Sequence, residues 1–258
     1  MDVISNKNRP VFIIAHKYIR GYESYSELYI QTIESIYEDY LIIFVDNNST
    51  HKDDIFNKLK NYKNVILLDN NNEGKFEIGA YNVGLQYLIN NNLYKNYTYI
   101  VLSQDTFILR KKVDFNVLHN NNVLACPIVD CHGDLTNIHN GYYESFLPIL
   151  KTLNLDHNVE KSSFCWCNSF IISSEKTEIL YGFIKDIVIT QRWDSCVSER
   201  YLGRILWEIN NQSKYDIDGD IYHIQNLYDS RKVDVYTHDL TFFVKKLQQK
   251  TESTIDKW

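Results

Sequence analysis

The stretch YIVLSQDTFILR, residues 99–110, carries four apolar or aromatic residues straight into Ser103-Gln104-Asp105-Thr106. An acid that ends an apolar strand either closes a turn through nearby backbone or holds something charged, such as a hard cation. A second acid stands the same way. Asp46 follows Leu41-Ile-Ile-Phe-Val45 and precedes Asn47-Asn48-Ser49-Thr50; it could equally cap the turn after its strand. The cysteines offer less. Cys126, Cys131, Cys165, Cys167 and Cys196 lack the spacing of a zinc ribbon. A Cys-x-Cys on a strand would point its two thiols to opposite faces, so the set reads as reduced, mostly buried thiols.

Those acids need elements to position them. Residues 10–15, 41–45, 65–68 and 97–102 are short apolar runs rich in Val and Ile, the pattern of strands buried on both faces. Between them, residues 24–37, 53–62 and 78–89 place apolar side chains at helical spacing. This alternation predicts right-handed βαβ units and a mostly parallel sheet with helices on both faces. Ligands of such sheets collect where the strands' carboxyl ends meet the loops, and Asp46 and Asp105 both fall at that edge. The second half is less regular. Strands are expected at 123–129, 164–173 and 222–224, and helices at 175–185, 194–209 and 240–249. No linker, repeat or shift in composition divides the chain, so a single domain over 1–258 is expected, with a nucleotide-binding half (1–110) and an acceptor-side half (111–258).

With a net charge of −6 and a pI near 5.7, the chain lacks the basic surface that nucleic acid requires. No apolar stretch reaches the roughly 18 residues of a membrane span. MDVISNKNRP has neither the basic nor the apolar region of a secretory signal. A soluble, cytoplasmic protein is the expectation; its oligomeric state is left open.

Four ordered blocks in the first 110 residues carry a resemblance. VFIIAHKY, LIIFVDNNST, NNEGKFEIGAYNVGLQYL and YIVLSQDTF are similar, in that order, to segments of the family 2-like glycosyltransferases of the GT-A fold. The resemblance implies transfer of a sugar from a UDP- or dTDP-linked donor to a hydroxyl acceptor, with inversion. It implies a nucleotide pocket lined by Ala15, His16, Lys17 and Asp46, with Asp46 on the base. Gly74, Lys75 and Asn82 belong to the N-x-G…A-x-N-x-G-L block, and Lys75 would lie beside the diphosphate. Gln104 and Asp105 stand where the family places an aspartate-rich, metal-binding strand end. The departure is plain: Ser103-Gln104-Asp105 offers one anionic ligand, so Mn²⁺ or Mg²⁺ would depend on Asp105 and on substrate oxygens. His223 would be a late histidine of the kind several relatives recruit, as a ligand of the metal or of the diphosphate.

The acceptor half must supply a general base. In QRWDSCVSERYLGRILWEI, Asp194 and Glu199 are acids early on a helix, where inverting relatives place a carboxylate; Arg200 would assist charge balance. Glu199 is the first choice and Asp194 the alternative, against a plain surface pair or helix cap. The sequence QRW is similar to the Q-x-x-R-W signature of processive synthases, but its two spacer residues are missing. Two other functions compete. A nucleotidyltransferase should carry a Gly-rich basic loop after its first strand, of which AHKYIRGYES is a poor version. A non-catalytic carbohydrate-binding relative would explain the altered Ser-Gln-Asp.

Overall fold

Every residue of the first strand, β1 (Pro10–His16), is buried, and successive side chains go to opposite faces of the sheet. Val11, Ile13 and Ala15 enter one core, while Phe12 and Ile14 enter the other. The chain is seen here as a computed structural model that describes residues 9–17, 23–109, 111–128, 142–155, 164–213 and 243–245.

Strands β2 (Leu41–Asp46), β3 (Val65–Asp69) and β4 (Tyr99–Gln104) complete the expected parallel set. The chain builds outward from β1 through β2 to β3. It then returns to lay β4 on the other side of β1, which makes β1 and β4 the point where strand order reverses. Beyond β4 come β7 (Phe170–Ser173), antiparallel to it, and β6 (Ala125–Pro127), antiparallel to β7. The six-stranded sheet therefore runs β3-β2-β1-β4-β7-β6. It is mixed, with one strand reversed, and helices cover both faces.

On one face lie α1 (Glu23–Ile36), α2 (Lys52–Leu59) and α4 (Phe115–Asn120). Their Tyr29, Ile33, Ile55, Leu59 and Phe115 pack on Phe12, Ile42 and Val101. On the other lie α3 (Phe76–Asn90), α5 (Tyr142–Thr152), α6 (Thr177–Ile184) and α7 (Arg192–Ile209). Full burial of one such Ile or Leu contributes about 1.5–3 kcal/mol, and these two layers are built largely from them. Among the described residues no helix is long and apolar enough to cross a membrane.

Two glycines of α3 permit close approach, Gly84 to the sheet and Gly79 to the loop before the helix. A Cβ at Gly84 would fall 2.6 Å from Ile13 Cγ2 of β1. One at Gly79 would fall 2.3 Å from the carbonyl oxygen of Gly74 and 2.8 Å from the Asn70 side-chain nitrogen. Neither position has room for a methyl group.

Two elements expected in the second half change. Residues 164–173 do not form one strand: Trp166–Asn168 is a 3₁₀ turn in which Cys167 takes φ 54° and Asn168 φ 51°. Left-handed backbone cannot continue a pleated strand, so β7 starts at Phe170. The Cys165 and Cys167 thiols accordingly do not alternate across a sheet. The helix expected over 240–249 is replaced at Phe243–Lys245 by a strand, β8, which pairs antiparallel with β5 (Phe107–Leu109). Phe243 and Val244 are of the aromatic and β-branched types enriched in strands. The strand expected at 222–224 lies outside the described residues.

Gly84→Val should lower stability by roughly 1–3 kcal/mol through overpacking against Ile13. Gly182→Ala on α6, where an added Cβ meets nothing within 4 Å, should leave it level or raise it by about 0.5–1 kcal/mol. Urea denaturation of both variants decides; equal effects would refute the close-approach argument.

Candidate active site at the carboxyl edge of the sheet

Because β4 alternates, its last residues part company. Ser103 points toward α1, where its hydroxyl meets Tyr29 Oη at 2.9 Å in the buried core. Gln104 points to the α3 face, and Asp105 turns back to the α1 face. Of the trio's side chains, it is that of Asp105 that reaches the His16 side chain at the end of β1.

That meeting is close. His16 Nδ1 lies 2.5 Å from Asp105 Oδ2, and Ser26 Oγ of α1 donates to the same oxygen at 2.9 Å. Backbone pairing runs right up to it: Asp105 N–H donates to Ala15 O at 3.1 Å, and Asn47 N–H to His16 O at 2.9 Å. The imidazole is buried, with the Phe44 ring centred 4.9 Å away. Its Nε2 has no hydrogen-bond partner among the described residues and stands 3.7 Å from Asp46 Oδ1. His16 thus bridges the ends of β2 and β4 across β1. The Asp105 side chain remains 16% exposed; both of its recorded contacts fall on Oδ2, which leaves Oδ1 for a ligand.

Asp46 is fully buried. Ser49 donates its N–H to Oδ2 at 2.6 Å and its hydroxyl to Oδ1 at 2.7 Å. This is the turn-closing role that a carboxylate followed by small polar residues can play, and it shapes the 47–49 loop. Asn70 then ties that loop to the next one: its amide donates to Asn47 Oδ1 at 2.8 Å and to Gly74 O at 2.7 Å. Two lysines sit on these loops. Lys17 Nζ is 3.5 Å from the carbonyls of Asn47 and Asn48, and Lys75 Nζ donates to Asn72 O at 2.5 Å and Asn70 O at 3.2 Å.

The remaining expected residues are not gathered here. Asn82 faces α6, donating to Ile184 O at 3.0 Å. Arg200 is buried, donates to Cys196 O at 2.7 Å and lies over the Phe164 ring. Glu199 takes the Cys167 N–H on Oε1 at 2.8 Å, and its backbone carbonyl takes the Cys165 N–H at 2.9 Å. Asp194 lies in the first turn of α7, half-buried. Gly74 accepts from the Asn70 amide on its carbonyl oxygen at 2.7 Å. His223 lies outside the described residues, among which no group of three His, Cys, Asp or Glu side chains could hold a metal. Among the described residues Cys126, Cys165, Cys167 and Cys196 form no disulfide; burial, then the Glu199 charge, push the Cys196 thiol up.

Sequence reasoning missed Glu77. It opens α3 on the opposite side of β4 from Asp105, accepting from Gln104 Nε2, from Ser195 Oγ at 2.9 Å and from Asn168 Nδ2 at 3.3 Å. The available signal was a lone acid at the head of an apolar helix, inside a block read for its Gly, Ala and Asn.

No family model matches the chain, and no curated protein matches it. Among solved structures it is similar to the galactosyltransferase LgtC in complex with donor and acceptor sugar analogues, over 93% of this chain and 87% of that one, at TM-score 0.45 and 11% identity. The bifunctional glycosyltransferase WbbM aligns with 83% of this chain at TM-score 0.41 and 12% identity, and the chain spans 40% of its length. A 4-diphosphocytidyl-2C-methyl-D-erythritol synthase from Anaerococcus prevotii aligns over 83% of this chain and 86% of its own, at TM-score 0.46 and 12% identity. At such scores the chemistry of the site rests on this chain's own residues.

Ser49→Ala should destabilise the protein by about 1–3 kcal/mol, because it strips a donor from a buried carboxylate. Chemical denaturation of the variant measures this; unchanged stability would mean that Asp46 does not depend on Ser49.

Proposed function

We propose that the chain is a glycosyltransferase that moves a sugar from a nucleotide-diphosphate donor to a hydroxyl acceptor. The observation that carries this reading is the His16–Asp105 contact at 2.5 Å, made where strand order reverses between β1 and β4. That is where open α/β sheets bind their ligands, and three of the four sequence blocks with a glycosyltransferase resemblance end there.

In this reading the 47–49 loop, held by Asp46 through Ser49, forms the wall of a uracil or thymine pocket with Ala15 and Lys17. Lys17 and Lys75, carried on adjoining loops, meet the diphosphate. Asp105 keeps one oxygen for a divalent cation while His16 and Ser26 fix the other, which suits a metal that takes most of its ligands from phosphate and water. Bound there, Mn²⁺ or Mg²⁺ would neutralise charge developing on the departing diphosphate. The acceptor hydroxyl must lose a proton as it attacks. We draw the base from α7: Asp194, which makes no side-chain hydrogen bond among the described residues, or Glu199, which shares its carboxylate with the Cys167 N–H.

Calorimetry with UDP and dTDP, with and without Mn²⁺, tests the donor half. Nucleotide should bind, and Asp105→Asn should abolish the enhancement by metal; equal affinity with and without Mn²⁺ would remove the metal from the site. A donor panel then tests the chemistry. Donor hydrolysis or transfer is expected, and binding without turnover would identify a carbohydrate-binding relative instead. Of Asp194→Asn and Glu199→Gln, the variant that removes the base should lower kcat by roughly 10²–10⁴ with donor Kd unchanged. Normal turnover in both would place the base elsewhere.

A further inference from the structure

Glu77 stands where four segments meet. Its carboxylate takes hydrogen bonds from Gln104 at the end of β4, from Ser195 in the first turn of α7 and from Asn168 in the turn before β7. Asn168 is itself fixed: its amide also donates to Ser195 O at 3.2 Å, and its side-chain oxygen accepts from Ser198 Oγ at 2.8 Å. Asn168, Ser195 and Ser198 are all buried. Among the described residues Glu77 has no cationic partner; neutral amides and a hydroxyl donate to its carboxylate.

The backbone around this network is unusual. Phe76, Cys167 and Asn168 have φ of 58°, 54° and 51°. Left-handed backbone is ordinary for Asn but unfavourable for Phe and Cys. Such conformations persist where surrounding contacts over-determine them, and they cluster at functional sites. Here all three flank or belong to the Glu77 network. Phe76 aims Glu77 off the helix start, and the Cys167–Asn168 pair aims the Asn168 amide back at it.

Resting on the glycosyltransferase reading, we propose that Glu77 is the positioning residue that fixes the acceptor half of the crevice to β4. Its hydrogen bonds set where α7 begins relative to Asp105, and α7 carries both acids from which the base is drawn. Gln104, the neighbour of Asp105, is the arm by which the strand end takes part. Glu77 acts through these groups and not on the reacting atoms.

The chemistry of the joint separates positioning from catalysis. In Glu77→Gln the side-chain oxygen can still accept from Ser195 and Asn168. The new amide can donate to Gln104, whose own amide group flips to present its oxygen. The joint survives without the charge. Glu77→Ala removes it altogether. Glu77→Ala is therefore expected to raise acceptor KM or lower kcat on the order of ten- to a hundredfold, with nucleotide Kd within about twofold, while Glu77→Gln recovers most of the loss. Gln as inactive as Ala would mean that the charge itself is needed and would overturn the positioning role. Wild-type kinetics in Ala would overturn it as well.

Amide hydrogen exchange provides a readout independent of activity and can be run on Ser195→Ala if Glu77→Ala does not fold. Exchange at 164–169 and 192–198 should accelerate while 10–16 stays protected; no local change would refute the joint. If wild type binds no nucleotide, the glycosyltransferase reading fails by that measurement, and the exchange result still decides whether Glu77 joins the two halves.

Discussion

Neighbouring side chains on a strand must leave by opposite faces, and at the end of β4 that constraint builds the site. Gln104 departs toward α3 and meets Glu77; Asp105 departs toward α1 and meets His16 and Ser26. One strand end thus has a hand on each helical layer. Shifting the register of β4 by a residue would send each of them to the opposite face and break both sets of contacts. Register here is fixed from both sides, by Ile13 opposite Leu102 on β1 and by Phe170 opposite the same Leu102 on β7.

The central sheet was legible in the sequence because its strands are buried on both faces, which leaves runs such as FIIA and LIIFV with little polar interruption. The edge location of Asp46 and Asp105 followed from the same runs. What was not legible depends on partners distant in the chain. Nothing local to Glu77 says that Ser195 and Asn168 will arrive beside it. Nothing in CWCN says that Cys167 will take a left-handed conformation, since that cost is met by contacts with Glu199 and α7. The short elements β5 and β8 are too brief for periodicity to define. His16 was expected to line the pocket; its role as a bridge between two acids required the pairing of β1 with both neighbours.

The block NNEGKFEIGAYNVGL shows how one motif can serve two ends. Gly79 and Gly84 are spaces for a carbonyl oxygen and an isoleucine, and Asn82 holds the end of α6. Gly84 lets α3 lie close on β1, and Gly79 lets the loop before it fold tightly on the first turn. That close seat is also what brings the first turn of α3, with Glu77, level with the strand ends. Packing and site are connected here through the distance between one helix and one strand.

The position of β4 in the sheet has a consequence for how the chain comes to its native state. Its partners are residues 10–15 on one side and 170–173 on the other, so neither edge can be satisfied by chain synthesised nearby. Pairings of such long separation form slowly, because loop closure must precede any contact energy. Until residues 170–173 arrive, an apolar parallel strand lies with one row of amides and carbonyls open, a template for another copy of the same strand. During synthesis the N-terminal strands can assemble around β1 while this edge waits, which makes the interval before the second half docks the period of greatest exposure to self-association.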